Sequence, residues 1–245
     1  MSPFTRRLGV ITLSGMWKTT RLGTLGGFPI DVRPSFLLLL AVVYFGFGGV
    51  FGLAVTLVAF ASIILHELGH AVVARELGVR VATIELGFFG GAAQMEAMPR
   101  RPRHELAIAA AGPAVSLILG GIGVGLGALT GLGAVALVGW INLALAGFNL
   151  IPALPMDGGR ILRALLATRL GYVRATDIAV VIAQGTAVVF GVVGLFGAFQ
   201  LLALAPFLWM MASRERMLAR MPDRSAGRRY VVRTIHGDYV IDPDR

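Results

Sequence analysis

The 245-residue chain contains no cysteine and little charge. Only 14% of its residues are Asp, Glu, Lys or Arg, while 56% are hydrophobic. A soluble domain carries roughly 25% charged residues, so this composition, with a mean hydropathy of +0.79, indicates a polytopic membrane protein. Because cysteine is absent, disulfides are excluded, and any zinc site must use histidine and carboxylate ligands.

Three long stretches, residues 34–65, 106–156 and 178–213, lack Asp, Glu, Lys and Arg altogether. A transmembrane helix needs about 20 apolar residues, so each stretch with its flanks has room for two helices. Glycine-containing turns without charge divide them. We therefore predict an all-α membrane protein with about six transmembrane helices, near 35–51, 53–77, 105–128, 133–151, 176–194 and 197–214.

The 22 basic residues that produce the net charge of +9 all fall on one side of this six-helix arrangement. The positive-inside rule assigns that side to the cytoplasm. We expect a multi-pass protein of the plasma (inner) membrane with both termini cytoplasmic: an N-terminal segment 1–34, a core 35–214 and a tail 215–245. The basic residues do not form a stripe of the kind that binds nucleic acid, so we expect no nucleic-acid partner. The arginines after the fourth span are assigned to topology and lipid headgroups: Arg160, Arg163, Arg169 and Arg174.

The second predicted span contains the sequence His66-Glu67-Leu-Gly-His70. Ionisable side chains at membrane depth are costly, and their presence there is a functional hypothesis by default. Residues four apart share one helix face. This spacing lets both imidazoles reach one zinc ion, with Glu67 beside it as general base. The sequence therefore predicts a zinc hydrolase whose site lies within the bilayer.

Zinc in a hydrolase usually has three protein ligands and an open position for water. Of the remaining histidines, His104 lies at a membrane edge and His236 in the tail, so neither is well placed. Asp157 is the best candidate for the third ligand. Pro152 and Pro155 precede it and remove backbone donors, which predicts an unwound end of the fourth span, where the aspartate turns toward the second.

The segments His66-Glu67-Leu-Gly-His70 and Asn149-x-x-Pro152-x-x-Pro155-x-Asp157-Gly158 together resemble the site-2 protease family of intramembrane zinc metalloproteases. The resemblance covers about residues 20 to 214 and includes the placement of these motifs on the second and fourth spans. It implies that His66, His70 and Asp157 bind one zinc ion per chain, that Glu67 activates water, and that Asn149 helps to engage the substrate backbone. For Asn149, a plain hydrogen bond between helices is the alternative.

Two further segments are similar to features of this family. Gly87-Phe-Phe-Gly90-Gly91 resembles its re-entrant loop or hairpin after the second span, whose edge could pair with an unwound substrate by strand addition. Close helix packing is the other interpretation of Gly90 and Gly91. Ala111-Gly112-Pro113 matches a Gly-Pro element of the family. Where the family often has asparagine three residues after this proline, the chain has Ser116.

The resemblance implies an endopeptidase that cuts single-pass membrane proteins within or near their transmembrane segments, such as anti-sigma factors or signal-peptide remnants. The alternatives are a membrane peptidase of another zinc family and a non-proteolytic zinc-binding transporter or scaffold. Polar residues converge on one point and Glu67 is present, which favours the protease.

Other polar residues are given structural roles or none. Glu105 and Asp177 open predicted helices, where carboxylates suit the N-terminal end, and Asn142 is interpreted as structural. We expect neither a PDZ domain nor a pair of CBS motifs, because no segment outside the spans is long enough. Residues 229–241 alternate and predict a small hairpin that turns at Gly237-Asp238.

Overall fold

The computed structural model describes residues 19–46, 48–87, 90–95 and 101–221, and the backbone of two strands near the C-terminus. The described helices are α1 (Pro34–Gly46), α2 (Gly49–Glu76), α3 (Pro102–Thr130), α4 (Gly133–Asn149), α5 (Asp157–Leu170), α6 (Tyr172–Leu195) and α7 (Phe199–Arg220). The strands are β1 (Thr20–Leu25), β2 (Phe28–Val32), β3 (Val81–Gly87), β4 (Gly90–Met95), β5 (Tyr230–Thr234) and β6 (Gly237–Ile241).

The fold is mostly helical, and three of the described helices, α2, α3 and α6, are long and apolar enough to cross a membrane. Helices α1 and α4 are apolar but shorter. The six predicted spans fall on α1 to α4, α6 and α7. The structure has a seventh described helix, α5, which the sequence analysis did not predict. Its 14 residues include three arginines, so a search for long uncharged stretches passes over it.

A four-stranded sheet with the order β1-β2-β3-β4 corrects the prediction of an all-α fold. Strands β1 and β2 pair antiparallel, as do β3 and β4, while β2 and β3 pair parallel. This last pairing aligns Ile30 with Ile84 and Val32 with Leu86. It joins segments about 50 residues apart, and such a non-local contact leaves no mark in the local pattern.

The sheet packs against α2 through apolar side chains. Phe28 and Ile84 form one buried cluster with Ala71 of α2, and Val32 and Leu86 belong to a second with Phe60 of α2. Because β1 and β4 have a partner on one side only among the described strands, both are edge strands of this sheet. This packing brings the edge strand β4 beside the helix that carries the two histidines.

Helices α3 and α4 approach each other so closely that their backbones touch. A Cβ atom at Gly123 would lie 2.7 Å from the Cα atom of Gly139, and one at Gly127 would lie 2.6 Å from the Cβ atom of Ala136. Real Cβ atoms do not approach other atoms so closely. We call the contact formed by Gly120, Gly123, Gly127, Ala136 and Gly139 the glycine seam.

Strands β5 and β6 form an antiparallel hairpin in the segment where one is predicted. Thr234 is paired with Gly237, and Arg233 with Asp238. The chain therefore reverses before Gly237, and the predicted turn at Gly237-Asp238 is wrong by two residues.

Candidate metal centre

The three predicted metal ligands converge on one point. His66 and His70 lie one turn apart on α2, are 2% and 4% exposed, and have their Nε2 atoms 3.2 Å apart. Asp157 is the first residue of α5. Its Oδ2 atom lies 3.0 Å from His66 Nε2 and 3.2 Å from His70 Nε2.

The other ring nitrogens are held in place by α3. His70 Nδ1 donates a hydrogen bond to the carbonyl oxygen of Ile108 at 2.6 Å. Since a carbonyl only accepts, Nε2 of the neutral ring keeps its lone pair. His66 Nδ1 and Ser116 Oγ share a hydrogen bond of 2.9 Å. Partners of this kind orient histidines that bind metals.

The donor set fits one zinc ion. Two imidazole lone pairs and a carboxylate oxygen that face each other are mutually repulsive unless a cation or a proton lies among them. A tetrahedral ion with bonds of about 2.0–2.1 Å separates its ligand atoms by roughly 3.3 Å. The three distances given above, 3.0, 3.2 and 3.2 Å, match that separation. His66, Glu67 and His70 also offer ligand atoms within 4.8 Å of one another.

Glycines allow α3 to pass directly behind the imidazoles. A Cβ atom at Gly112 would overlap His70 Nε2 and would lie 2.6 Å from His66 Nε2. On α2, a Cβ atom at Gly69 would lie 2.9 Å from the carbonyl oxygen of Ala111. The Gly-Pro element therefore lies at the candidate metal centre. Ser116, which has no assigned role in the sequence analysis, is fully buried and bonded to His66.

An irregular segment, residues 150–156, brings Asp157 to the histidines. Helix α4 ends at Asn149, so the break predicted at Pro152 and Pro155 is present. The segment folds back over the start of α5, where a Cβ atom at Gly158 would overlap the carbonyl oxygen of Leu150. The glycines after Asp157 are thus required by this close approach. The helix N-terminus also favours a carboxylate at its first position.

Glu67 lies beside the ligands and is half-buried. Its Oε2 atom accepts a hydrogen bond of 2.9 Å from the backbone N–H of Ala93 in β4. Glu67, His70 and Asp157 line one cavity of about 660 Å³. The rest of its wall includes Arg33, Ser35, Glu85, Gly87, residues 90–95, Asn149, Pro155, Arg160, Phe207 and Met211.

The three predicted substrate-binding residues also line this cavity. Asn149 ends α4, and its amide donates to the carbonyl oxygen of Leu145 at 3.0 Å. Gly90 and Gly91 begin β4. A Cβ atom at Gly91 would lie 2.7 Å from Ile63 Cγ2, so close packing against α2 also requires this glycine. The roles of these three residues in substrate binding stay predictions.

A salt bridge at the rim of the cavity links Arg33, which follows β2, to Glu85 of β3. Arg33 Nη2 donates to Glu85 Oε2 at 2.7 Å, and Gln94 Nε2 donates to the same oxygen at 3.1 Å. The hydrogen bond with Glu85 raises the pKa of Arg33, so this residue is cationic at any physiological pH.

One assignment made from the sequence is wrong. Arg163 was assigned to the lipid headgroups, yet its side chain is only 2% exposed. It is bonded to Glu105 of α3 and Glu215 of α7. Arginines that face lipid and arginines that face a buried carboxylate look alike in a sequence. The backbone N–H of Ala93 was also missed, since a backbone group has no sequence signature.

Two histidines four residues apart on one helix, with a glutamate next to the first and a carboxylate from another helix, form the kind of site that zinc metalloproteases use. Here the site lies among helices of membrane length. The model of peptidase family M50 matches residues 54–133 and 128–192. The chain belongs to peptidase family M50, which confirms the resemblance to the site-2 proteases.

Individual relatives agree with this membership. A zinc metalloprotease of Methanocaldococcus jannaschii is 37% identical over 205 residues, which are 80% of this chain and 60% of the relative. Stage IV sporulation protein FB of Bacillus subtilis is 31% identical over 116 residues, 46% of this chain and 40% of the relative. The chain thus spans less than two thirds of the length of either relative.

The fold is similar to that of a solved structure. The site-2 protease from Methanocaldococcus jannaschii superimposes with a TM-score of 0.65 at 35% identity, covering 84% of this chain and 97% of the solved one.

Proposed function

We propose that this protein is an intramembrane zinc endopeptidase that hydrolyses a peptide bond within or near the transmembrane segment of membrane-protein substrates. The observation that carries the proposal is the convergence of His66 Nε2, His70 Nε2 and Asp157 Oδ2 within 3.2 Å of one another, with Glu67 lining the same cavity. In this proposal the three residues hold one zinc ion per chain.

The chemistry divides between the ion and Glu67. A zinc ion bound there would polarise the scissile carbonyl and lower the pKa of water. Glu67 accepts the proton of the attacking water and delivers it to the leaving amine. The hydrogen bond from Ala93 holds the Glu67 carboxylate toward the cavity, and the partners on α3 keep both imidazoles oriented.

The edge strand β4 supports a mode of substrate binding. Its Ala93 N–H points away from β3 and toward Glu67, so this edge faces the candidate catalytic residues. An unwound substrate segment can add to such an edge through backbone hydrogen bonds, with Gly90, Gly91 and Asn149 lining its path. Single-pass membrane proteins, such as anti-sigma factors or signal-peptide remnants, are the substrate class that we propose.

We also propose six membrane crossings, made by α1 to α4, α6 and α7, with both termini cytoplasmic. The parallel pairing of β2 with β3 supports part of this topology. Strand β2 precedes α1 and β3 follows α2, so their direct pairing requires an even number of crossings between them. The basic residues beside this sheet, Arg33, Arg75 and Arg80, support its proposed location at the cytoplasmic face.

The test compares purified wild type, Glu67→Gln, Asp157→Ala and the control Glu76→Gln, which changes an exposed carboxylate on the same helix. Bound zinc and cleavage of a single-pass fusion protein are measured together. Wild type and the control should hold one zinc ion and cut. Glu67→Gln should keep zinc and lose at least about 100-fold in rate, and Asp157→Ala should lose both.

Two outcomes would contradict the proposal. Cleavage by Glu67→Gln at the wild-type rate would exclude the metalloprotease mechanism. Zinc binding by Asp157→Ala with unchanged affinity would exclude Asp157 as the third ligand. Zinc-dependent movement of a solute across vesicles, unaffected by Glu67→Gln, would instead favour the non-proteolytic alternative.

A further inference from the structure

Three helices meet at a buried group of charges near the candidate metal centre. Arg163 of α5 donates from Nε to Glu105 Oε1 of α3 at 2.7 Å, and from Nη1 to Glu215 Oε2 of α7 at 2.8 Å. The side chains of Arg163 and Glu105 are 2% and 0% exposed, whereas Glu215 is 27% exposed. The ring of Tyr172 lies 5.1 Å from the guanidinium. We call Glu105, Arg163 and Glu215 the charge triad.

Stability alone gives a poor account of the charge triad. The free energy needed to desolvate two charges offsets much of their mutual attraction. A buried ion pair is therefore often no more stabilising than apolar side chains of similar size. Moreover, Glu105 Oε2 is buried without a hydrogen-bond partner among the described residues. What an ion pair does supply is a defined distance and orientation between two helices.

The helix α3 that carries Glu105 also orients both imidazoles. Glu105, Ile108, Gly112 and Ser116 follow one another at helical spacing and share one face. The carbonyl oxygen of Ile108 accepts a hydrogen bond from His70, and Ser116 bonds to His66. Between them, Gly112 leaves room for both rings, because a Cβ atom there would overlap His70 Nε2. Glu105 occupies the turn just before Ile108. The face that determines the imidazole positions is therefore the face that binds Arg163.

The helix α5 that carries Arg163 also carries the third candidate ligand. Asp157 is its first residue, and Arg163 follows six residues later, about 9 Å along the axis at 1.5 Å per residue. A shift or rotation of α5 relative to α3 would move Asp157 Oδ2 away from the two Nε2 atoms. Among the described residues, the salt bridge of Arg163 with Glu105 is the only one between these two helices.

We propose that Arg163 is a positioning residue of the metal centre, which acts through Glu105 to hold Asp157 at ligand distance from His66 and His70. Glu215 extends the same connection to α7, one turn beyond Met211 at the cavity wall. This inference rests on the proposed metal site, and it assigns Arg163 no contact with substrate.

The experiment replaces the ion pair by apolar side chains of similar size in the double variant Glu105→Leu/Arg163→Met. Such replacements often preserve or raise stability, so folding and positioning can be separated. The single variants Arg163→Met and Arg163→Lys accompany it. The matched control is Asp177→Asn, which removes partly exposed ion pairs between α6 and α7, formed with Arg216 and Arg220.

Three quantities are measured on the purified full-length protein: the melting temperature, the zinc dissociation constant, and the visible absorption spectrum with Co²⁺ in place of zinc. The double variant should melt near wild type, bind zinc about 10- to 100-fold more weakly, as for other partners of metal ligands, and show an altered Co²⁺ spectrum. Arg163→Lys should bind zinc more tightly than Arg163→Met, because lysine keeps a positive charge facing Glu105. Asp177→Asn should leave the affinity and the spectrum unchanged.

The outcomes separate this inference from the function on which it rests. Wild-type affinity and spectrum in a folded double variant would overturn the positioning role and leave the proposed function intact. Wild-type protein that binds neither Zn²⁺ nor Co²⁺ would overturn the proposed function, and this inference with it.

Discussion

At the scale of single residues, the tightest position of the site belongs to a residue without a side chain. A Cβ atom at Gly112 would overlap His70 Nε2 and would lie 2.6 Å from His66 Nε2. The variant Gly112→Ala should therefore displace at least one ring and weaken zinc binding by about 10-fold or more, since displacing ligand partners costs 10- to 100-fold. Zinc titration of the purified variant measures the effect.

The matched control is Gly121→Ala, in the same helix, where a Cβ atom meets nothing within 4 Å. It should bind zinc as wild type does, because the change in helix propensity is the same. Equal affinities in both variants would show that α3 does not constrain the imidazoles.

Some residues of the candidate site could be predicted from the sequence, and others could not. His66, Glu67 and His70 could be predicted because few functions need that spacing, and Asp157 because it follows two prolines in a charge-free stretch. Ser116 was given no role, because it stands where the family often has asparagine. The carbonyl of Ile108 and the N–H of Ala93 belong to the backbone, which is the same in every residue. The chemical roles of the four candidate catalytic and metal-binding residues remain predictions.

At the scale of elements, the glycine seam makes α3 and α4 a close-packed pair. Replacing Gly123 by Val would force the two backbones apart. The variant should lose about 1–3 kcal/mol of stability, the usual cost of overpacking a well-packed contact. Thermal unfolding in detergent measures this loss.

Gly125→Val is the control for the seam, because position 125 lies in the same helix but is exposed, with no atom within 4 Å of a Cβ. Its melting temperature should differ from that of wild type only by the small effect of valine on helix propensity. A Gly123→Val variant as stable as Gly125→Val would mean that the helices are not in backbone contact.

The long apolar helices could be predicted from the sequence, whereas α5 and the sheet could not. Six helices could be located because lipid demands long apolar segments with internally bonded backbones. Helix α5 is short and rich in arginine, and the sheet is made of two hairpins separated by 48 residues of chain between Val32 and Val81. Neither has the long apolar run or the unbroken alternation that local analysis detects, and both depend on packing against other elements.

At the scale of the whole molecule, the absence of cysteine allows a clean test of topology. Single cysteines are introduced at Thr130, the last residue of α3, and at Arg80 and Arg174. The cysteine at position 130 should lie on one face of the membrane and the other two on the opposite face. A membrane-impermeant maleimide applied to intact cells should label Thr130→Cys alone. After permeabilisation, it should label all three.

The unmodified chain serves as the control, since it has no thiol to react. Labelling of Arg80→Cys from outside, before permeabilisation, would contradict six crossings with cytoplasmic termini. It would also place the sheet, and with it the cavity, on the opposite face of the membrane.

The edge strand β4 has a consequence for the choice of substrate. A strand edge binds another chain through amide groups, which every residue except proline offers in full. If substrates bind by the proposed strand addition to β4, selection cannot depend chiefly on the residues around the cut. It would depend on how readily a membrane helix gives up its own hydrogen bonds, a cost that is high in lipid and lower where glycine or proline weakens the helix. Two substrate helices of unrelated sequence but equal stability should then be cut at similar rates. A closely related sequence that forms a more stable helix should be cut more slowly.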